Sequence, residues 1–281
     1  MMNLNGMTEV KRGVMPNNEI TEVNRCNRKR KREEPKEIKN EKKDVIVFYK
    51  NGKKYENWTK YKAKHEKHDD EKLPDLIVYY KNGNKEREVF YKNKKMHRDG
   101  DLPAVTEFYK NGRIEREVWY QNGKMHRDAS PACKAYYKNG NKQYESWYQN
   151  GECHRDADLP VFVYFEENGD VKQEKWCKNN KNHRDPRNGP AMIHRSDDGE
   201  VLKMWYLNGK LYRNDDLPTM EYYFKNGNKK REEWWQNDKC HRETRNENGD
   251  TNPACINYNA DGTIFNKEIF LNGVEVDMIF E

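Results

Sequence analysis

The stretch Phe108-Tyr-Lys-Asn-Gly-Arg-Ile-Glu-Arg-Glu-Val-Trp-Tyr-Gln-Asn-Gly-Lys-Met-His-Arg-Asp128 decides the fold, because from about Asp44 to Glu281 the chain repeats this one pattern. The first Asn-Gly falls at Asn51, Asn82, Asn111, Asn139, Asn168 and Asn226, and Asp198-Gly199 and Asp261-Gly262 take the same slot, a period of about 29 residues. A second turn follows at Asn122-Gly123, Asn150-Gly151, Asn208-Gly209 and Asn272-Gly273, decaying to Asn93-Lys94, Asn179-Asn180 and Asn237-Asp238. Asn-Gly between aromatic and β-branched residues signals a tight hairpin, since a type I′ turn needs positive φ at both central positions.

Each unit therefore reads as strand A (Ala104 to Lys110), a type I′ turn, strand B (Arg113 to Gln121) and a return loop to Pro131. Pro74, Pro103, Pro131, Pro160, Pro190, Pro218 and Pro253 stand where strand A begins, a place that tolerates a missing N–H. About eight units fit between residues 44 and 281, with irregular first and last copies. The expected fold is all-β: an elongated, single-layer antiparallel sheet of tandem hairpins. In strand B, Glu117 and Trp119 share one face while Ile114, Val118 and Tyr120 share the other. The Trp slot recurs as Trp58, Phe90, Trp119, Trp147, Trp176, Trp205, Trp234 and Phe270, and this stripe is read as the core.

Composition agrees with a thin fold. Charged residues make up 36% of the 281-residue chain and apolar ones only 33%, too few for a thick core, yet 18 Tyr, 9 Phe and 7 Trp argue against simple disorder. Residues 1–43 carry 12 Lys/Arg against 7 Asp/Glu, so they hold +5 of the net +6 and leave the array nearly neutral. This aromatic-free segment reads as a disordered basic arm. Its run Arg28, Lys29, Arg30, Lys31, Arg32 suits a nuclear signal or a phosphate contact, and equally a solubilising tail. No run approaches a membrane span of about 18 apolar residues, and the first residues lack a secretory core, so an intracellular setting is expected.

Trp119-Tyr-Gln-Asn-Gly-Lys-Met-His126, followed by a loop, a strand and Tyr-Lys-Asn-Gly, resembles the MORN repeat, whose copies carry an aromatic, then Asn-Gly-Lys, then His-Gly. The form with His-Arg-Asp and Pro-Ala is most similar to degenerate copies in large DNA viruses of amoebae and in some bacterial proteins. The resemblance covers residues 44–281. It implies a hairpin sheet used for assembly, scaffolding or attachment near membranes, and a virion or host compartment if the source is viral. Arg98, Arg127, Arg155, Arg184, Arg213 and Arg242 replace the Gly that follows His in the standard repeat.

The most chemical-looking feature is the ladder His97, His126, His154, His183 and His241, preceded by His68, each from His97 on followed by Arg and then an acid. A shared zinc needs donors within about 4 Å, whereas rungs one hairpin apart stand about 9 to 10 Å from each other. Tyr212 also takes the slot once, so the ladder is read as loop scaffolding. The cysteines lack metal-finger spacing: Cys153 and Cys240 replace Met96 and Met125, and Cys177 replaces Tyr120, which reads as small apolar substitution. No phosphate loop or nucleophile elbow is present, and no catalytic residue, cofactor or metal is expected. The expected function is a non-enzymatic repeat scaffold binding a protein partner or itself. The alternatives are a nucleic-acid-associated or nuclear factor acting through the arm, and attachment to anionic membranes.

Overall fold

A computed structural model describes residues 74–80 and 82–280 in full and the backbone of 46–50 and 53–55. Contacts divide the chain into residues 1–43 and Asp44–Glu281, and all that follows concerns the second unit. The expected arm, Trp58 and His68 lie outside the described residues.

The array is an antiparallel sheet of tandem hairpins, as its alternating sequence and turn spacing predict. From Leu76–Tyr79 to Val274–Phe280, fifteen strands pair in chain order. In the third unit Val105–Phe108 (A) pairs with Ile114–Val118 (B), which pairs in turn with Cys133–Tyr136 of the fourth unit. Ile46–Lys50 adds to this edge through Leu76–Tyr79 and carries Lys53–Tyr55 on its other side, making seventeen strands. No α-helix occurs among the described residues, and no helix there is long and apolar enough to cross a membrane.

The two Asn-Gly turns differ. At the first, only Gly112 has positive φ (84°), its N–H donates to the Tyr109 carbonyl (2.8 Å), and the register slips between Glu107 and Phe108. That is a type I turn closed by a glycine bulge, not the expected type I′. At the second, Asn122 (φ 51°) and Gly123 (φ 80°) are both left-handed, which makes it the type I′ turn. It closes a minor hairpin, Tyr120–Gln121 with Lys124–Met125, inside what the sequence suggested was a return loop. A complete unit thus has four strands rather than two, and strand B ends at Val118, not Gln121.

This break relocates part of the core. Register pairing lines up Val89, Val105, Val118, Cys133, Ser146 and Phe162 across the sheet, and the row continues through Met192 to Met204 and Met220. Val89, Val105, Cys133, Met204 and Met220 are at most 2% exposed. The minor hairpins cover this row: Tyr148, fully buried, meets Phe162 edge-on with centroids 5.9 Å apart. The Trp stripe is therefore not the sole core. Once the strand ends before the Trp, strict alternation lapses, and neighbours such as Val118 (4% exposed) and Trp119 (6%) are both buried. Each aliphatic side chain buried this way contributes about 1.5 to 3 kcal/mol.

Val118→Ala is expected to cost about 1.5 to 3 kcal/mol in chemical denaturation, whereas Ile114→Ala, four residues earlier, should cost less than about 1 kcal/mol. Ile114 shares its parity but sits past the bulge and is 38% exposed. Equal losses would contradict the buried row.

Candidate functional site: the return-loop ladder and its clefts

The residues that recur in every copy converge where strand B ends. The Trp119 N–H donates to Ala132 O of the next unit (2.8 Å), and its carbonyl accepts the His126 N–H (3.1 Å). The same pair of bonds occurs at Phe90, Trp147, Trp176, Trp205 and Trp234. The acceptors Ala104, Ala132, Ala191 and Ala254 are fully buried, which suits a small residue after four of the prolines; Val161 and Thr219, also buried, accept in the other two units.

Over each ring lies the Arg that follows the His. Guanidinium carbons stand 3.7 Å from the Phe90 centroid (Arg98), 3.8 Å from Trp119 (Arg127), 3.6 Å from Trp147 (Arg155), 4.1 Å from Trp176 (Arg184), 3.7 Å from Trp205 (Arg213) and 4.1 Å from Trp234 (Arg242). Such stacks are worth about 0.5 to 2 kcal/mol each. Every one of these arginines also donates from Nη1 to the carbonyl of the proline that starts strand A, as Arg155 does to Pro160 (2.8 Å).

The His rings join successive minor hairpins. The Nδ1 atoms of His97, His126, His183 and His241 accept the backbone N–H of Asn122, Asn150, Asn208 and Asn272. An accepting Nδ1 leaves the proton of a neutral ring on Nε2, and in His97 that nitrogen faces Asp99 at 2.7 Å. At the same junctions Gly123, Gly151, Gly209 and Gly273 donate to the carbonyls of Met96, Met125, Asn182 and Cys240. Gly123 stands at a positive φ (80°), and a Cβ there would lie in contact with Lys95 Cβ of the preceding hairpin at 3.5 Å.

Two of the six described junctions lack both bonds. Between the fourth and fifth units the turn is Asn179-Asn180, and between the sixth and seventh it is Asn237-Asp238 facing Tyr212 in the His slot. Both junctions open into clefts of about 570 and 510 Å³. At the first of them Cys153 and Cys177 are joined by a disulfide, which corrects their reading as mere small apolar substitutions. Cys133, Cys240 and Cys255 are buried, and burial pushes the Cys240 thiol up to about 12.

A second, longer period also emerges. Arg127 pairs with Asp101, Arg184 with Asp158 and Arg242 with Asp216, each acid lying in the preceding unit's loop within Asp-Leu-Pro. The intervening loops lack that motif. Among the described residues, neither Arg98 nor Arg155 has such a loop acid. Burial pushes both guanidinium groups below their usual range, opposed by Glu88 and Glu145. The leucines of the motif, Leu102, Leu159 and Leu217, are 45 to 50% exposed and recur at every second unit.

Of the ladder residues, His97, His126, His183 and His241 are half-buried and His154, at the disulfide junction, is exposed. Phe270 packs on the cluster of Trp234, Cys240 and Ala254. Arg28 to Arg32 lie outside the described residues. Among those described, no three His, Cys, Asp or Glu side chains are grouped as a metal site. The junction clefts had one sequence signal, the decay of the second Asn-Gly; the stacked Arg had none. No family model and no curated protein matches the chain.

Bonds from Arg127, with weaker help from the charge of Lys134, hold the Asp101 carboxyl below its ordinary range despite a small burial penalty. A depressed carboxylate contributes stability above its unfolded pKa and loses it as pH falls through the folded value. The wild type should therefore exceed Asp101→Asn in denaturation midpoint at neutral pH, the gap closing as acidity passes below the ordinary Asp range. A pH-independent gap would contradict this. Excising Pro103 to Leu159, two whole units, joins Leu102 to Pro160 and lets Asp101 take over Arg184. A shorter folded sheet should result, in which Asp101→Asn lowers the denaturation midpoint as it does in the intact chain; aggregation of the excised protein would contradict the linear array.

Proposed function

We propose that this chain is a non-enzymatic repeat scaffold that presents a periodic surface to a protein partner, in the manner its resemblance to MORN repeats implies. The observation that carries this reading is the two-unit period of Leu102, Leu159 and Leu217, which projects a large apolar side chain from every second return loop. Successive leucines are four strands apart, about 19 Å at 4.8 Å per strand, a spacing suited to an extended or repetitive partner. Regularly spaced exposed apolar groups rimmed by polar loops mark interaction surfaces. The residues with chemical capacity support the same reading. His, Arg and Asp of the repeat are engaged in stacks, ion pairs and backbone bonds, which is the work of a framework.

Residues 44–281 are expected to retain a partner from native extract that the full chain captures. Replacing Leu102, Leu159 and Leu217 together by Ser should abolish capture without changing the circular dichroism. If capture instead follows residues 1–43 and fades steeply between about 50 and 200 mM salt, the partner is a polyanion bound by the basic arm and the scaffold reading fails.

A further inference from the structure

The junction between the fourth and fifth units is held by chemistry found at no other described junction. Elsewhere a glycine N–H and a His Nδ1 tie one minor hairpin to the next, except between the sixth and seventh units. Here Asn180 replaces the glycine, its side chain accepts the Cys153 N–H (3.0 Å), and the disulfide from Cys153 to Cys177 spans the two hairpins. The two cysteines stand on different strands, Glu152–Cys153 and Cys177–Lys178, in slots that other units fill with Met and Tyr. Both cysteines line the 570 Å³ cleft together with Arg155 and Lys178. Cys153 is only 4% exposed, while Cys177 is half-buried and so the more accessible sulfur.

We propose that Cys153 and Cys177 form a thiol–disulfide exchange site for a small thiol of the glutathione class, and that its state latches or frees this one junction of the array. The incoming thiolate attacks Cys177 Sγ; the S–S bond breaks, and Cys153 leaves as a thiolate that takes a proton from water. A second thiol then attacks the outer sulfur of the mixed disulfide and releases Cys177 as a thiol. Two external thiols become one disulfide, and the two electrons given up reduce the protein disulfide. Oxidised glutathione drives the reverse reaction. Arg155, Lys178 and Arg184 are matched in number by Glu152, Asp158 and Asp185, so the cleft carries no net charge and the accessibility of Cys177 decides which thiols can react. Reduction leaves the main sheet intact, because Ser146↔Phe162 and its neighbours pair independently of the minor hairpins. The opening is therefore local rather than global.

The test uses the full chain in buffers set by the ratio of reduced to oxidised glutathione, with alkylation by N-ethylmaleimide, intact mass and hydrogen exchange as readouts. In the oxidising buffer the peptides bearing Cys153 and Cys177 should be linked and unlabelled. In the reducing buffer both should alkylate, and amide exchange over 148–153 and 177–182 should rise about tenfold, while 119–126 stays unchanged. Cys153→Ser should collect glutathione at Cys177. Cys153→Met with Cys177→Tyr, which restores residues other units carry, should remove the response to the buffer. Full alkylation of both thiols under oxidising conditions would overturn the proposal, as would a reduction that leaves exchange at 148–153 and 177–182 unchanged.

Discussion

The structure depends on backbone groups that a single unit cannot satisfy. Strand B of each unit finds its second partner only in strand A of the next, and the N–H beyond strand B, at the aromatic residue, reaches the carbonyl of the residue after the next unit's proline. An unpaired, buried peptide group costs free energy comparable to a lost hydrogen bond, so a lone hairpin has little reason to hold its form. Stability has to accumulate along the array, nearest neighbour by nearest neighbour.

Side-chain ladders fasten the sheet along both borders. Along one, Tyr80, Tyr109 and Tyr137 donate to carbonyls of Phe108, Tyr136 and Phe165, and Asn82 and Asn84 share the Lys110 carbonyl. Along the other stand the Trp–Arg stacks, the His rings and the minor hairpins. A chain with so many charges can then fold with a thin core, because much of what would be idle polar surface is bonded to the neighbouring unit. The same economy shows in the His-Arg-Asp motif, whose groups bond one unit away or within their own loop.

Departures from regularity carry the individuality of the molecule. Where the second turn carries glycine, its N–H bonds to the preceding minor hairpin; where Asn180 or Asp238 stands instead, that bond is absent and a cleft lies at the junction. The loops alternate between those with and without Asp-Leu-Pro, so neighbouring units of nearly identical sequence present different surfaces. These features distinguish one point of the array from another, which a uniform repeat cannot do.

The sequence by itself determined the all-β class, the repeat length, the position of strand A and the first hairpin, because Asn-Gly, proline and alternating aromatic residues act locally on φ and on side-chain direction. It also showed that Glu117 and Trp119 differ in parity from Val118. What it could not determine was where strand B stops, since Trp119-Tyr-Gln continues the alternation without a breaker. The Val89 to Met220 row, the Arg stacked on each ring and the Cys153–Cys177 bond were decided by tertiary structure alone. Each joins residues of different strands or different units, and the spacing along one chain does not encode which neighbours the sheet brings together.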